Sequence, residues 1–265
     1  MQLQSFLMVG GGIGFIFVMT CLGAATVFIF RKKAPKGVGS VFLGFAAGVM
    51  IAASVFGLLI PAIEEAEAAG QMSWIPAAGG FILGVFFLLG LDHLIPHLHP
   101  TSDVREGPAS TRKRSTLLIS AVTLHNIPEG MAIGLAFALA AQQGNDPAFY
   151  AGAIALAIGI GIQNIPEGAA ISHILRQDGA SPAKSFWYAC LTGIVEPLFG
   201  AVAVLLAVWI APAMPWLLSF AAGAMIYVVV EELIPEAQLD KHSHAGTLSV
   251  MAGFLLMMVL DIAIG

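Results

Sequence analysis

The sequence HNIPEG at residues 125–130 recurs as QNIPEG at residues 163–168, and each copy lies inside a long apolar run. Each copy therefore carries a carboxylate, an amide and a helix-breaking proline at membrane depth. Ionisable groups are costly in lipid and mark functional sites there. Two matched copies predict one composite site built from two kinked helices, and an imidazole with carboxylates indicates a divalent metal ion.

The composition is that of a polytopic membrane protein, because 58% of the 265 residues are hydrophobic and only 10% are charged. About 20 apolar residues span a bilayer, and we predict an all-α fold of eight transmembrane helices forming a single transmembrane domain over residues 1–265. The spans, numbered one to eight, cover roughly residues 5–30, 38–63, 74–96, 114–141, 147–175, 182–210, 212–238 and 245–264. So little lies outside the membrane that we expect no nucleic-acid partner.

The eleven lysines and arginines predict the orientation of the chain, because all of them fall between the predicted spans or within the first three residues of one. They follow spans one, three, five and seven, whereas the loops after spans two, four and six contain none. Basic loops lie on the cytoplasmic side. This pattern therefore predicts that both termini lie outside. Basic residues follow the first span rather than precede it, which indicates a retained helix and not a cleaved signal peptide.

Further repeats indicate internal symmetry. FAAGVMI at residues 45–51 resembles FAAGAMI at residues 220–226, and the tripeptide LIP follows each, at residues 59–61 and 233–235. With the orientation above, spans two and seven run in opposite directions, as do spans four and five. Inverted repeats with interrupted helices are typical of transporters, with the site near the midplane. We therefore predict a 3+2+3 arrangement, with spans one to three related to spans six to eight around a central pair.

The two motifs each place a pair of ligand side chains four residues apart, on one face of a helix. Span four offers His125 and Glu129, and span five offers Gln163 and Glu167. Together they supply one imidazole, two carboxylates and one amide. This set predicts a first metal site between spans four and five.

A second set of ligands begins one residue further along each motif, at Asn126 and Asn164. Glu196 in span six, which also has a proline beside it, completes this set. Glu129 and Glu167 then bridge the two sites. No lysine or arginine lies beyond the first three residues of a span to neutralise these acids, so they are protonated or matched by cations. Imidazole with carboxylate suits Zn²⁺, and such ligand sets discriminate weakly against Fe²⁺, Mn²⁺ and Cd²⁺.

Two alternatives to a transporter arise from the same residues, an intramembrane metal-dependent hydrolase and a scaffold with a structural metal. A zinc protease is expected to carry HExxH, with a base beside the first histidine. Here Asn126 follows His125, so no general base adjoins the imidazole. A scaffold does not explain acids that extend from Glu64 through Glu129 to Glu232. A transporter that is not an enzyme is therefore the leading interpretation.

The paired motifs HNxPEG and QNxPEG resemble those of the ZIP (Zrt/Irt-like) family of divalent metal transporters, in its GufA-type bacterial branch. The resemblance covers nearly the whole chain, including eight spans with both termini outside. It implies a binuclear centre, with one site at His125, Glu129, Gln163 and Glu167 and a second at Asn126, Glu129, Asn164, Glu167 and Glu196. Family members often carry aspartate where this chain has Asn164. The second site of this chain therefore has one negative charge fewer.

The resemblance also implies a path for the metal. The outer gate matches Met50, Ala53, Leu156 and Ile160, the outer entrance matches Glu64 and Asp261, and the inward release path matches Glu231 and Glu232. His93, His97 and His99 either pass metal to the cytoplasm or belong to an ordinary polar loop. The family implies uptake into the cytoplasm across the plasma membrane (the bacterial inner membrane), a homodimer, and an elevator-like sliding of spans one, four, five and six.

Overall fold

A computed structural model of the chain describes residues 3–29, 38–98, 105–106, 108, 114–144, 147–237 and 244–264. All eight predicted spans are helical there. The five simple spans are span one at Leu3–Ile29, span three at Trp74–Leu94, span four at Arg114–Gln143, span five at Ala151–Gln177 and span eight at Ala245–Ile264. The prediction of an all-α polytopic fold is therefore confirmed.

The other three spans contain more than one helical segment. Span two consists of Val38–Ala52, a π-helix at Ala53–Leu59 and Ile60–Ala68. Span six consists of Pro182–Gly193 and Val195–Trp209. Span seven consists of Met214–Val228, a π-helix at Val229–Leu233 and Ile234–Ala237. Short 3₁₀ helices at Pro147–Tyr150 and Ala211–Ala213 lead into spans five and seven, and the loop after span three contains an antiparallel pairing of His97–Leu98 with Arg105–Glu106.

The outer surface of the helices is apolar, as expected for a chain surrounded by lipid. Large side chains point outward, among them Trp209 at 85% exposure, Ile262 at 71% and Leu7 at 63%. Seven of the described helical spans are long and apolar enough to cross a membrane. Span four is the eighth, and although it is 30 residues long, its HNIPEG segment and its polar ends make it less apolar than the others.

The two π-helices occupy matching places in the inverted repeat. Each ends just before a proline of the repeated LIP tripeptide, Pro61 or Pro235. Proline has no N–H for the carbonyl four residues back, and its ring crowds that carbonyl. The residue before each proline bonds five residues back instead, from Ile60 N–H to Val55 O and from Ile234 N–H to Val229 O. The sequence repeat thus corresponds to a repeated backbone feature, and π-bulges are frequent at functional sites.

Spans two and eight form a close pair through glycines. A Cβ atom on Gly48 would collide with the carbonyl oxygen of Val250, and one on Gly253 would collide with that of Phe45. Small residues allow this approach of two backbones within a membrane. Spans three and seven repeat the arrangement, with Gly84 against the Phe220 carbonyl and Gly223 against the Phe81 carbonyl. The two pairs are the counterparts expected from a 3+2+3 inverted repeat.

Spans one, four, five and six form a second group, which surrounds the motif residues. The final glycine of each motif lies at a helix contact in this group. Gly130 faces the backbone of Glu196 in span six, and Gly168 faces the backbone of Thr20 in span one. A side chain at either glycine would collide with a carbonyl oxygen. The glycines of the two motifs therefore bring spans six and one onto the central pair.

Replacing Gly84 with alanine is expected to destabilise the fold. The added methyl group would overlap the Phe220 carbonyl oxygen, which is backbone and has no rotamer to adopt. Overpacking of this kind costs about 1–3 kcal/mol. Gly90, on the same span, has no atom within 4 Å of the corresponding position. Gly90→Ala is therefore the matched control, and thermal unfolding in detergent measures both variants. Equal unfolding temperatures would contradict the close contact between spans three and seven.

Candidate metal centre

The two motifs lie in helices that continue through their prolines. Pro128 is inside the helix Arg114–Gln143, and Pro166 is inside Ala151–Gln177. These prolines therefore do not divide either helix, whereas regular α-helix is interrupted in span six and by the π-helices of spans two and seven. The reason is that a single missing hydrogen bond is tolerated in a helix packed on several sides.

The four residues predicted for the first site come from facing positions of spans four and five. Gln163 Nε2 donates a hydrogen bond of 2.6 Å to Glu129 Oε1. Both side chains are 1% exposed, and His125 is 8% exposed. His125 Nε2 contacts Glu232 Oε2 on span seven. Glu167 lies four residues after Gln163 in the same helix and therefore on the same face. The structure thus brings the four predicted residues together and adds Glu232 beside them.

The second set is built around Asn164 and Glu196, both of which have no exposed surface. Asn164 Nδ2 donates hydrogen bonds to Glu196 Oε1 at 3.1 Å and to Thr20 Oγ1 at 3.1 Å. Asn126 Nδ2 donates to the Thr192 carbonyl oxygen at 3.2 Å, which ties span four to span six. The structure therefore also brings the second predicted set together, with Thr20 as a member that the sequence analysis missed.

A break in span six positions Glu196. The first segment ends at Gly193 and the second begins at Val195. Pro197 has no N–H for the Gly193 carbonyl, which weakens the helix at this point. Glu196 consequently lies in the first turn of the second segment, where the helix dipole favours a negative charge. Gly130 has no side chain, so span four approaches the Glu196 backbone closely.

Six side-chain oxygens in this cluster are buried without a hydrogen-bond partner. They are Asn126 Oδ1, Glu129 Oε2, Gln163 Oε1, Asn164 Oδ1, Glu167 Oε1 and Glu196 Oε2. Buried polar atoms nearly always have partners, so each exception needs an explanation. All six are hard or borderline oxygen donors of the kind that bind divalent cations. Cations bound at these oxygens would replace the missing partners.

Within the described part of the chain, no three His, Cys, Asp or Glu side chains converge closely enough to hold one ion. Some of the predicted ligands are instead hydrogen-bonded to each other. Gln163 donates to Glu129, and Asn164 donates to Glu196. Two of the carboxylates thus use one oxygen within the protein. A bound ion would draw the remaining oxygens together and compete with these amide contacts.

The residues predicted for the outer gate lie together in the main apolar core. Met50 is 1% exposed, and Ala53, Leu156 and Ile160 have no exposed surface. Leu156 Cδ1 would lie 3.0 Å from a Cβ atom on Gly57, which places it against the π-helix of span two. All four are therefore part of the packed interior.

The acids predicted at the two ends of the path differ in exposure. Glu64 is exposed at the end of span two, and Asp261 is half-buried in span eight. Glu231 and Glu232 are neighbours in the π-helix of span seven, yet Glu231 is exposed and Glu232 is 3% exposed. Only Glu232 of these two contacts His125 in the structure.

The histidine group is only partly described. His93 is exposed, and its Nδ1 lies 2.8 Å from the Leu89 carbonyl oxygen within its own helix. His97 begins a two-residue strand, and its side chain falls outside the described part, as does all of His99. Their role in passing metal to the cytoplasm therefore stays a prediction.

Thr20 and the two π-helices are the features of the site that sequence reasoning missed. A lone threonine in an apolar run usually bonds its own helix, and Thr20 Oγ1 does lie 3.3 Å from the Ile16 carbonyl oxygen. The sequence signal for the π-helices is the proline of each LIP repeat, because proline removes one α-helical hydrogen bond.

Eight membrane helices around a buried cluster of acids, amides and an imidazole define a polytopic metal-ion transporter. Residues 98–261 match the family described as ZIP Zinc transporter. The chain is 36% identical over 335 residues to zinc transporter ZIP11 of Homo sapiens, with 96% of each chain covered. It is 38% identical over 253 residues to zinc transporter GufA of Myxococcus xanthus, with 93% of this chain and 94% of that protein covered.

A third relative, zinc transporter ZIPB of Bordetella bronchiseptica, is 38% identical over 264 residues, with 98% of this chain and 82% of that protein covered. The chain therefore belongs to the ZIP zinc transporter family, and the resemblance drawn from its motifs is confirmed. This is a family of divalent metal transporters and not of enzymes, so the transporter interpretation is also confirmed.

Proposed function

We propose that the chain moves Zn²⁺ into the cytoplasm through a binuclear centre between spans four, five and six. The first site would comprise His125, Glu129, Gln163 and Glu167, and the second Asn126, Glu129, Asn164, Glu167 and Glu196. Glu129 and Glu167 would bridge the two ions. One imidazole nitrogen with oxygen donors is a ligand set that suits zinc.

One observation carries the proposal: each of the six buried oxygens without a hydrogen-bond partner named above belongs to a different proposed ligand. An unpartnered buried polar atom costs roughly 1–3 kcal/mol. Side chains placed for packing alone would not concentrate this cost in one cluster. A cation that replaces water at these atoms would remove it, which is the behaviour expected of a site that must bind and release its cargo.

The charge balance supports the same conclusion. Glu129, Glu167 and Glu196 lie in stretches of sequence, residues 115–175 and 185–240, that contain no lysine or arginine. Their negative charge must therefore be neutralised by protons or by metal ions. Two divalent ions would supply that charge without a basic side chain in the membrane.

The direction of transport rests on the loop charges and on the path residues. Metal would enter past the acids Glu64 and Asp261. It would then cross the outer gate, which consists of Met50, Ala53, Leu156 and Ile160. It would leave toward the cytoplasm past Glu232 and Glu231 and then His93 and His97. The basic loops after spans one, three, five and seven lie on the cytoplasmic side in this scheme. The protein would lie in the inner membrane of a bacterium, with both termini on the outer side.

Three finer features belong to the same proposal. Cd²⁺, Fe²⁺ and Mn²⁺ would be further substrates, because imidazole and carboxylate ligands discriminate weakly among divalent ions. The protein would act as a homodimer, as the family resemblance implies. Spans one, four, five and six would slide as a unit past the glycine-linked pairs of spans two with eight and three with seven.

Uptake by intact bacterial cells tests both substrate and direction. Cells that express the chain should accumulate radioactive zinc faster than cells with an empty vector, and unlabelled Cd²⁺, Fe²⁺ or Mn²⁺ should compete. Purified protein in liposomes that contain a zinc-sensitive dye should give the same result without other cell components. Net loss of zinc from the cells would overturn the direction, and liposomes no more permeable than protein-free ones would overturn transport by this centre.

A further inference from the structure

Thr20 is a polar residue on span one that the proposed ligand sets do not include. It has no exposed surface, and most of its neighbours along span one are apolar. Its hydroxyl oxygen lies 3.1 Å from Glu196 Oε1 and 3.1 Å from Asn164 Nδ2. Asn164 Nδ2 is itself 3.1 Å from Glu196 Oε1. One atom from each of spans one, five and six therefore forms a closed triangle of hydrogen bonds.

The atoms used in this triangle determine which atoms remain for a ligand. The amide nitrogen of Asn164 donates to Thr20 and to Glu196, and the Thr20 hydroxyl donates to Glu196 Oε1. Asn164 Oδ1 and Glu196 Oε2 are left, and both are buried without a hydrogen-bond partner. An amide can rotate by half a turn and exchange its nitrogen and oxygen, but the Glu196 carboxylate and the Ile16 carbonyl can only accept and so favour the nitrogen. Thr20 favours it too while its own proton is donated to Glu196.

The inverted repeat gives Thr20 a counterpart. The last glycine of the first motif, Gly130, faces the backbone of Glu196, and the last glycine of the second, Gly168, faces the backbone of Thr20. The symmetry that exchanges spans four and five thus exchanges Glu196 with Thr20. Gly193 helps to bring the two side chains together, because a Cβ atom there would lie 3.1 Å from Thr20 Cγ2 and 3.3 Å from Glu196 Oε1.

We propose that Thr20 is a positioning residue of the second metal site, which fixes the Asn164 amide and the Glu196 carboxylate so that Asn164 Oδ1 and Glu196 Oε2 are available to the ion. This inference rests on the proposed function, since it assigns a role within the second site. Span one contributes no metal ligand in this arrangement. It contributes the hydroxyl that orients two ligands from other spans.

Thr20→Val and Thr20→Ser separate this role from packing. Valine keeps the shape of the side chain but removes the hydroxyl, whereas serine keeps the hydroxyl. With valine, the Asn164 amide nitrogen loses one of its three acceptors and keeps Glu196 and the Ile16 carbonyl oxygen, while Glu196 loses one donor. A hydrogen bond to a charged group is lost, so zinc affinity at the second site should fall by about tenfold. The first site, which does not contact Thr20, should keep its affinity, and serine should retain most of the second.

The experiment is a zinc titration of purified protein in detergent, with bound metal counted by mass spectrometry and affinity measured against a competing chelator. Wild type and Thr20→Ser should bind two ions, and Thr20→Val should lose the weaker one at limiting zinc. The same titration in the Asn164→Ala background should show a smaller additional effect of Thr20→Val, because only the hydrogen bond from Thr20 to Glu196 is then left to lose. Size-exclusion profiles of the variants establish that the fold is retained.

The remaining outcomes would contradict the role of Thr20, its action through Asn164, or the second site. Unchanged binding by Thr20→Val, or an equal loss in Thr20→Ser, would overturn the role of Thr20 and leave the two-site centre in place. An undiminished effect of Thr20→Val in the Asn164→Ala background would overturn the mechanism through Asn164. Wild-type protein that binds only one ion would overturn the second site itself, and with it the role given to Thr20.

Discussion

Metal uptake should be lost when Glu129 or Glu167 is replaced with glutamine. Both acids are proposed to bridge the two ions, and Glu129 Oε2 and Glu167 Oε1 are buried without a hydrogen-bond partner. Glutamine has the same shape, but it removes a charge from both sites and places an N–H where an oxygen faced the ion. Losing even an outer partner of a metal ligand costs 10–100-fold in affinity, so uptake should fall by more than about 100-fold.

The measurement is initial zinc uptake into liposomes at several zinc concentrations, with the amount of inserted protein determined for each variant. Glu67→Gln is a matched control, because it makes the same chemical change at an exposed position where Glu67 accepts a hydrogen bond from Ser73. That variant should transport normally. Near-normal uptake by Glu129→Gln or Glu167→Gln would contradict a centre bridged by these two acids.

The spans and their repeats could be predicted because their signals are local. Apolar runs, the positions of lysine and arginine, and the duplicated FAAG and LIP segments are each visible within a short window of sequence. The inverted repeat then limited which helices could pack together. The glycines at positions 48 and 253, and at positions 84 and 223, form the two symmetric contacts that this plan requires.

The contacts between distant spans could not be predicted in the same way. The contact of His125 with Glu232 joins spans four and seven, and the triangle of Thr20, Asn164 and Glu196 joins spans one, five and six. Such pairings depend on side-chain rotamers and on which helix faces meet. Nothing in the sequence near Thr20 distinguishes it from a threonine that bonds only its own helix.

The backbone at the prolines shows a second limit of sequence reasoning. Four of the prolines discussed here follow the same rule, since each removes one helical hydrogen bond. The helices continue as α-helices through Pro128 and Pro166, but they widen to π-helices before Pro61 and Pro235. The outcome depends on the packing around each proline, which a single sequence does not contain.

Glu232→Gln is expected to slow zinc transport strongly, whereas Glu231→Gln should have little effect. These neighbouring acids of the π-helix have different surroundings. Glu232 is buried against His125, whereas Glu231 is exposed. An ion that leaves His125 would meet the Glu232 carboxylate first. Glutamine at this position removes the attraction between the leaving ion and the Glu232 carboxylate. The maximal uptake rate should therefore fall by about tenfold.

The concentration dependence of uptake distinguishes a defect in release from a defect in binding. If Glu232 receives the ion after the first site, Glu232→Gln should lower the maximal rate while half-saturation stays close to the wild-type value, because the proposed ligands of both sites are intact. Glu231→Gln, with the same change of charge one residue away, controls for the general electrostatics of the inner end. Equal defects in the two variants would contradict a specific step at Glu232, and they would indicate instead that the two acids act only through their summed charge.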